Sequence, residues 1–165
     1  MTHPTWELNV SDNNAALVLT PCPGTQGEGL KSSLEQLKES GVAAIVTAIN
    51  NEEMEKVGVT ELSEITKSLG MEWYHQPIED HCAPAEGFDK EWKKVSPAIQ
   101  SALDKGRKVA VHCMGGSGRT GMLATHILLD RGWKLDDIKS QVKLLRPRAF
   151  TQQVQIDYIN KVAGE

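Results

Sequence analysis

Residues Val109-Ala110-Val111-His112-Cys113-Met114-Gly115-Gly116-Ser117-Gly118-Arg119-Thr120-Gly121 run from a β-branched stretch through a glycine-rich loop into the apolar residues Met122 to Leu129. A short apolar strand that turns at once into an apolar helix belongs at the centre of a layered α/β structure, where other elements cover both. The loop between them carries a cysteine at one end and an arginine at the other. A thiolate attacks only where its charge is stabilised, and consecutive backbone N–H groups, a helix start and a fixed guanidinium all do that. The same donors suit the three non-bridging oxygens of a phosphate. Met114, Gly115, Gly116, Ser117, Gly118 and Arg119 are therefore the expected phosphate-binding residues, with Cys113 as nucleophile. Gly115, Gly116 and Gly118 let amides converge where side chains would obstruct them.

The remainder of the chain bounds this reading. Its 165 residues, 39% of them hydrophobic, bury one core and are too few for two ordinary domains, so residues 1–165 are expected to form one. Met1 to Ser11 has no basic or apolar leader pattern, and the longest apolar stretch, Val42 to Ile49, is too short to span a bilayer. A soluble, cytoplasmic, monomeric protein without membrane contact is expected. Cys22, Cys82 and Cys113 are odd in number and widely spaced, which suits a reducing compartment. No zinc-type spacing occurs, so neither metal nor other cofactor is expected. The net charge of −4 argues against a nucleic-acid partner. An anionic substrate must then be captured by a local field from Arg119, the loop amides, and Arg146 and Arg148.

Helical and strand signals alternate as an α/β sandwich requires. Trp6–Val10 and Ala16–Leu19 read as strands around the turn Asp12-Asn13-Asn14. Leu30, Leu34 and Leu37 mark a helix stopped by Gly41, and Val42–Ile49 a buried strand. Met54–Leu69 holds two helical pieces around Gly58, and Met71–Gln76 is a strand ended by Pro77. Trp92, Val95, Ile99 and Leu103 give a helix from Phe88, kinked or started late by Pro97. Lys108–His112 is the central strand. Met122–Leu129, with Gly132 after its end, is the next helix. Leu135, Ile138, Val142 and Leu145 give another that Pro147 ends, and Val154, Tyr158 and Val162 mark the last one.

Attack by a thiolate expels an alkoxide or phenoxide that needs a proton, so an acid belongs on a loop facing the cysteine. Asp80 in Pro77-Ile78-Glu79-Asp80-His81-Cys82 lies between a strand end and a long helix and is the expected acid. Glu79 is the second choice, and Glu86 and Asp89 are more distant ones. His81 reads as exposed rather than catalytic. Cys82 reads as a small loop residue, with pairing to Cys113 as a redox alternative. Thr120 offers its hydroxyl to the sulfur or caps the helix. His112 hydrogen-bonds backbone and shapes the loop, without acting as a base.

His112-Cys113, five residues, Arg119 and Thr120 resemble the signature of the cysteine-dependent protein phosphatases. Pro21-Cys22-Pro23-Gly24, Gln76-Pro77-Ile78-Glu79-Asp80 and Leu145-Arg146-Pro147-Arg148-Ala149-Phe150 extend the resemblance over most of the chain. It is similar in particular to compact dual-specificity phosphatases of the kinase-associated type. That likeness implies a single-domain three-layer sandwich, a mostly parallel sheet of about five strands between helices. It implies hydrolysis of phosphate from protein side chains, Tyr and Ser/Thr, through a phosphocysteine, with a phosphorylated protein, such as a kinase, as partner. It makes Arg146 a brace for the phosphate loop. Arg148 reads as a solvated arginine or as a contact to acidic substrate groups. Family members often carry Gln-Thr-x-x-Gln next, where this chain has Thr151-Gln152-Gln153-Val154-Gln155, so only Gln155 matches. The hydrolytic water then falls to Gln155 or Asp80. Alternatives are a phosphoinositide or other non-protein phosphomonoester as substrate, a non-catalytic phosphate-binding module, and a rhodanese-like sulfurtransferase. The last needs neither the upstream acid nor arginine at this spacing.

Overall fold

The structure, a computed structural model, describes residues 2–164; Met1 and Glu165, the ends of the expected domain, lie outside the described residues. In chain order the elements are β1 (Trp6–Asn9), β2 (Ala16–Thr20), α1 (Leu30–Glu39), β3 (Val42–Thr47), α2 (Asn51–Val57) and α3 (Leu62–Ser68). There follow β4 (Glu72–His75), α4 (Phe88–Asp104), β5 (Lys108–His112), α5 (Gly118–Asp130), α6 (Leu135–Leu145) and α7 (Gln153–Val162). The five strands form one sheet in the order β1-β2-β5-β3-β4. Only β1 against β2 is antiparallel. The mostly parallel sheet with β5 at its centre is the expected one.

Period-two alternation distributes the strand residues to two cores. Leu17, Leu19, Ala44, Val46, Val109 and Val111 join Trp92, Ile99, Leu123, Ile127 and Ile138 from the α4–α6 side. Val18, Ile45 and Ala110 join Leu34, Leu37, Met54 and Leu62 from the α1–α3 side. Both faces of the central strand are thus dry, which is why it carries no charged residue after Lys108. Burying each such Leu or Val side chain stabilises the fold by about 1.5–3 kcal/mol.

The register places Thr20, His112 and Thr47 side by side, and Thr47 beside His75. The parallel strands therefore end together, and the segments that follow β2, β3, β4 and β5 converge at one edge of the sheet. That is where α/β folds build ligand sites.

Four local expectations need correction. α5 begins at Gly118, not Met122, so Arg119 and Thr120 lie in its first turn. The glycine-rich residues misled the periodicity there, because burial of the helix start against α7 and the Ala149–Phe150 turn outweighs weak helix propensity. α4 starts at Phe88, as expected, and only the alternative of a late start at Pro97 fails, since Trp92, Ile99 and Leu103 are buried on both sides of that proline. Val154 is 45% exposed, and Gln155 and Ile159 are the buried residues of α7. The third and fourth strands are shorter than Val42–Ile49 and Met71–Gln76, although Ala48 N–H and Gln76 N–H still donate to His112 and Thr47 carbonyls.

Candidate active site

The loop after β5 is fastened from outside. Four consecutive carbonyls are occupied: Cys113 by His112 Nδ1 at 3.0 Å, Met114 by the Cys22 N–H at 2.9 Å, Gly115 by Arg146 Nη2 at 2.8 Å and Gly116 by Arg146 Nε at 3.1 Å. The peptide bonds are trans. In a trans peptide the N–H points opposite to the C=O, so these bonds turn the amides of Met114, Gly115, Gly116 and Ser117 away from the groups that hold the carbonyls. The Gly116 N–H indeed donates to Cys113 Sγ at 3.2 Å. Thr120 Oγ1 donates to the same sulfur at 3.1 Å. The first turn of α5 follows directly, and its N–H groups have no intrahelical partners. Of the three glycines, Gly116 alone has a positive φ (+82°). A Cβ there would lie 2.7 Å from Pro21 N and Thr20 C. A Cβ at Gly118 would lie 3.3 Å from the Gln155 carboxamide, whereas one at Gly115 would meet nothing within 4 Å. The requirement for glycine is therefore strong at 116, moderate at 118 and absent at 115 on packing grounds.

Arg119 is 2% exposed and its guanidinium is already fixed. Nη1 and Nη2 donate to the two carboxylate oxygens of Glu53 at 2.7 and 2.9 Å, and Nη1 also to the Ile78 carbonyl at 3.0 Å. Burial alone would weaken the guanidinium's hold on its proton. The Glu53 hydrogen bonds, reinforced by the charges of Cys113, Glu53 and Asp80, reverse that and raise it. Burial likewise opposes ionisation of Glu53, but Arg119 and the Asn50 N–H hold it below the usual carboxylate range. Glu53 is not among the expected site residues. Its one local trace is Asn50-Asn51-Glu52-Glu53, a capping box in which Glu53 N–H donates to Asn50 Oδ1 and Asn50 N–H to Glu53 Oε1. The cap that starts α2 thus also orients the loop arginine.

His112 is fully buried. Its Nδ1–H must donate to the Cys113 carbonyl, so Nε2 accepts from Thr47 Oγ1 at 2.8 Å, and Thr47 in turn accepts from Trp73 Nε1. Burial pushes its pKa down to about 4, with the Cys113 hydrogen bond opposing and the charges of His3, Arg119 and His75 adding to the fall. It is a neutral strut beneath the loop. Arg146 spans from the loop carbonyls to the face of Trp6, 3.9 Å from its centroid. Trp6, on the edge strand, gave no signal of this in the sequence beyond its strand pattern.

A cleft of about 660 Å³ opens over the loop, lined by Cys113, Arg119, Gln155, Asp80, Arg146 and Arg148, and also by His81 and Gln152. Asp80 Oδ1 lies 3.6 Å from Arg119 Nη2. Glu79, the second choice of acid, does not line this cleft; its carboxylate is held by Asn50 Nδ2 at 3.2 Å. Glu86 and Asp89 line a different cavity beside α7. His81 and Arg148 are both exposed, as expected, and both also border the cleft, so Arg148 is open to both of its readings, solvated or in contact with acidic substrate groups. Thr151 caps back onto the Arg148 carbonyl, while buried Gln155 faces the loop. Cys82 is exposed and is not among the described residues lining the cleft. Cys22 is buried, and burial, then the charges of Cys113 and Glu53, push its thiol up to about 12. Among the described residues no His/Cys/Asp/Glu cluster has metal-binding geometry, and no helix is long and apolar enough to cross a membrane.

A family model described as "Polymorphic toxin system, DSP-PTPase phosphatase" matches residues 23–133. The rat protein "Cyclin-dependent kinase inhibitor 3" is 28% identical over 128 residues, covering 74% of this chain and 59% of the relative. The chain therefore spans less than two thirds of that relative's length. Bovine "Protein tyrosine phosphatase type IVA 3" is 26% identical over 158 residues, 93% of this chain and 82% of the relative. A crystal structure of kinase associated phosphatase with serine replacing its catalytic-site cysteine superposes with a TM-score of 0.84. It shows 22% identity and covers 99% of this chain and 97% of that one.

Proposed function

This chain belongs to the DSP-PTPase phosphatase family, and we propose that it hydrolyses phosphomonoesters on phosphorylated protein side chains through a phosphocysteine intermediate. The observation that carries this reading is the set of donors on one sulfur: Gly116 N–H and Thr120 Oγ1 on Cys113 Sγ, beneath a guanidinium that Glu53 has already oriented. The thiolate attacks phosphorus; a P–S bond forms as the P–O bond to the side chain breaks. Asp80 passes its proton to the departing oxygen. The amides of residues 114–117 and Arg119 take the charge on the three equatorial oxygens, and their orientation is set before substrate arrives. In the second step water attacks the phosphocysteine, Asp80 accepts its proton, and the thiolate leaves with Thr120 donating to it. Gln155 and Asp80 are the groups placed to orient that water.

The cleft wall and the relatives support a phosphorylated protein as the substrate class. Arg148 and Arg146 give an anionic protein segment a cationic wall in a chain of net charge −4. The kinase in the rat relative's name makes a phosphorylated kinase a reasonable first substrate. On this reading the chain works as one catalytic domain, monomeric, cytoplasmic and free of cofactor.

The test is turnover of p-nitrophenyl phosphate and of phosphotyrosine, phosphoserine and phosphothreonine peptides. Rapid acid quench followed by mass spectrometry should find Cys113 heavier by one phosphoryl group. Turnover that persists with Cys113 replaced by serine would refute the mechanism. Inactivity on every phosphopeptide with activity on a phosphoinositide would move the substrate class.

A further inference from the structure

Asp80 sits on a loop with its side chain 58% exposed, yet its direction is defined. The next residue, His81, has φ +62°, a left-handed conformation uncommon for a residue with a Cβ. That turn brings the His81 main-chain N–H to Asp80 Oδ1 at 3.0 Å and its ring Nε2 to within 3.4 Å of Oδ2. The other ring nitrogen, Nδ1, lies 2.7 Å from Nε2 of Gln152, the residue that precedes α7. With the amide donating, Nδ1 accepts and Nε2 carries the proton of the neutral ring, which leaves that nitrogen 3.4 Å from Asp80 Oδ2, in electrostatic contact rather than hydrogen-bonded to it. His81 and Gln152 both line the cleft above Cys113. Among the described residues, this contact is the side-chain hydrogen bond that ties the acid loop to the wall formed by residues 146–155.

We propose that His81 is a positioning residue for the acid step. Together with Gln152 it forms a clasp across the cleft that keeps Asp80 turned toward the leaving-group oxygen. The clasp rests on the assignment of Asp80 as general acid. Its two halves lie 71 residues apart, His81 exposed and Gln152 half-buried, and a single hydrogen bond joins them, so it holds the loop only weakly and can open to admit substrate. A purely structural His81 would merely satisfy a left-handed turn, which glycine does at least as well.

The experiment measures kcat for aryl phosphates of graded leaving-group pKa in wild type, His81→Gly, Gln152→Ala, the double variant, Asp80→Asn and Asp80→Asn/His81→Gly. Glycine keeps the turn, so backbone strain drops out. Each clasp variant should lose about tenfold with a poor leaving group and little with p-nitrophenyl phosphate. The double variant should be no worse than either single one, and His81→Gly should add nothing to Asp80→Asn. Additive losses, losses independent of the leaving group, or a wild-type His81→Gly enzyme overturn the clasp while leaving the Asp80 assignment intact. If Asp80→Asn itself shows no leaving-group dependence, the acid assignment falls and the clasp with it.

Discussion

The phosphate loop and the acid loop face each other across one cleft and are held in opposite ways. Residues 113–116 have all four carbonyls occupied, Gly116 packs against the backbone of Thr20 and Pro21, and Arg119 is 2% exposed with both outer nitrogens paired. Asp80 is more than half exposed and its loop is tied across the cleft by exposed His81 and half-buried Gln152. Donors that stabilise developing charge gain from being fixed beforehand, because no reorganisation is then needed during the reaction. A group that must cover the leaving group and then release product gains from being loosely held.

Substitutions at the two loops should therefore fail differently. The largest effect is Cys113→Ser, which removes the nucleophile and should cut turnover by several orders of magnitude. Vanadate binding, measured by calorimetry, should survive because the cradle remains. Loss of both would mean that the thiol also holds the loop in shape.

Asp80→Asn should lower kcat by roughly 10²–10⁴ with poor leaving groups and progressively less as leaving-group pKa drops. Glu79→Gln, whose carboxylate is turned toward Asn50, should change little. A larger loss at Glu79 across the same aryl phosphate series would reverse the two roles.

Arg119→Lys should reduce kcat about 10²–10³-fold and weaken phosphate binding, since a point charge on a flexible stem cannot face Glu53 and a phosphate with one rigid fork. Wild-type kinetics in this variant would remove the clamp from the fixed side of the comparison.

A smaller signal is the pH dependence of stability. His112 titrates at about 4 in the fold against an ordinary 6.5. Between these values the unfolded chain binds a proton that the folded chain refuses, so stability falls as pH drops through that window and its contribution levels off below about 4. Thermal melts from pH 7 to 4 should show a shallower slope for His112→Gln than for wild type. Equal slopes would place the acid sensitivity elsewhere.

The smallest effects separate two adjacent glycines. Gly115→Ala should change stability within about 0.5 kcal/mol. Gly116→Ala, forced to a positive φ and into backbone, should cost about 1–3 kcal/mol or more by urea denaturation. Similar costs at both positions would mean that the loop is less tightly seated than its contacts indicate.

What the sequence determined by itself was local and periodic. The short apolar runs Val109–Val111 and Leu17–Leu19, the leucines of α1, the stops at Gly41 and Gly132 and the Cys-to-Arg spacing each follow from covalent order and side-chain period. They sufficed for the α/β class, the central strand and the family resemblance. Tertiary structure decided what partners those residues have. Glu53 meets Arg119 across 66 positions, Arg146 meets Gly116 across 30, and Gln152 meets His81 across 71. A polar side chain can satisfy its hydrogen bonds with water anywhere on the surface, so its sequence neighbourhood carries no mark of the distant group it will face. Only when the parallel strands end side by side do the loops that bear these residues come within reach, and burial of Arg119 then makes its carboxylate partner obligatory.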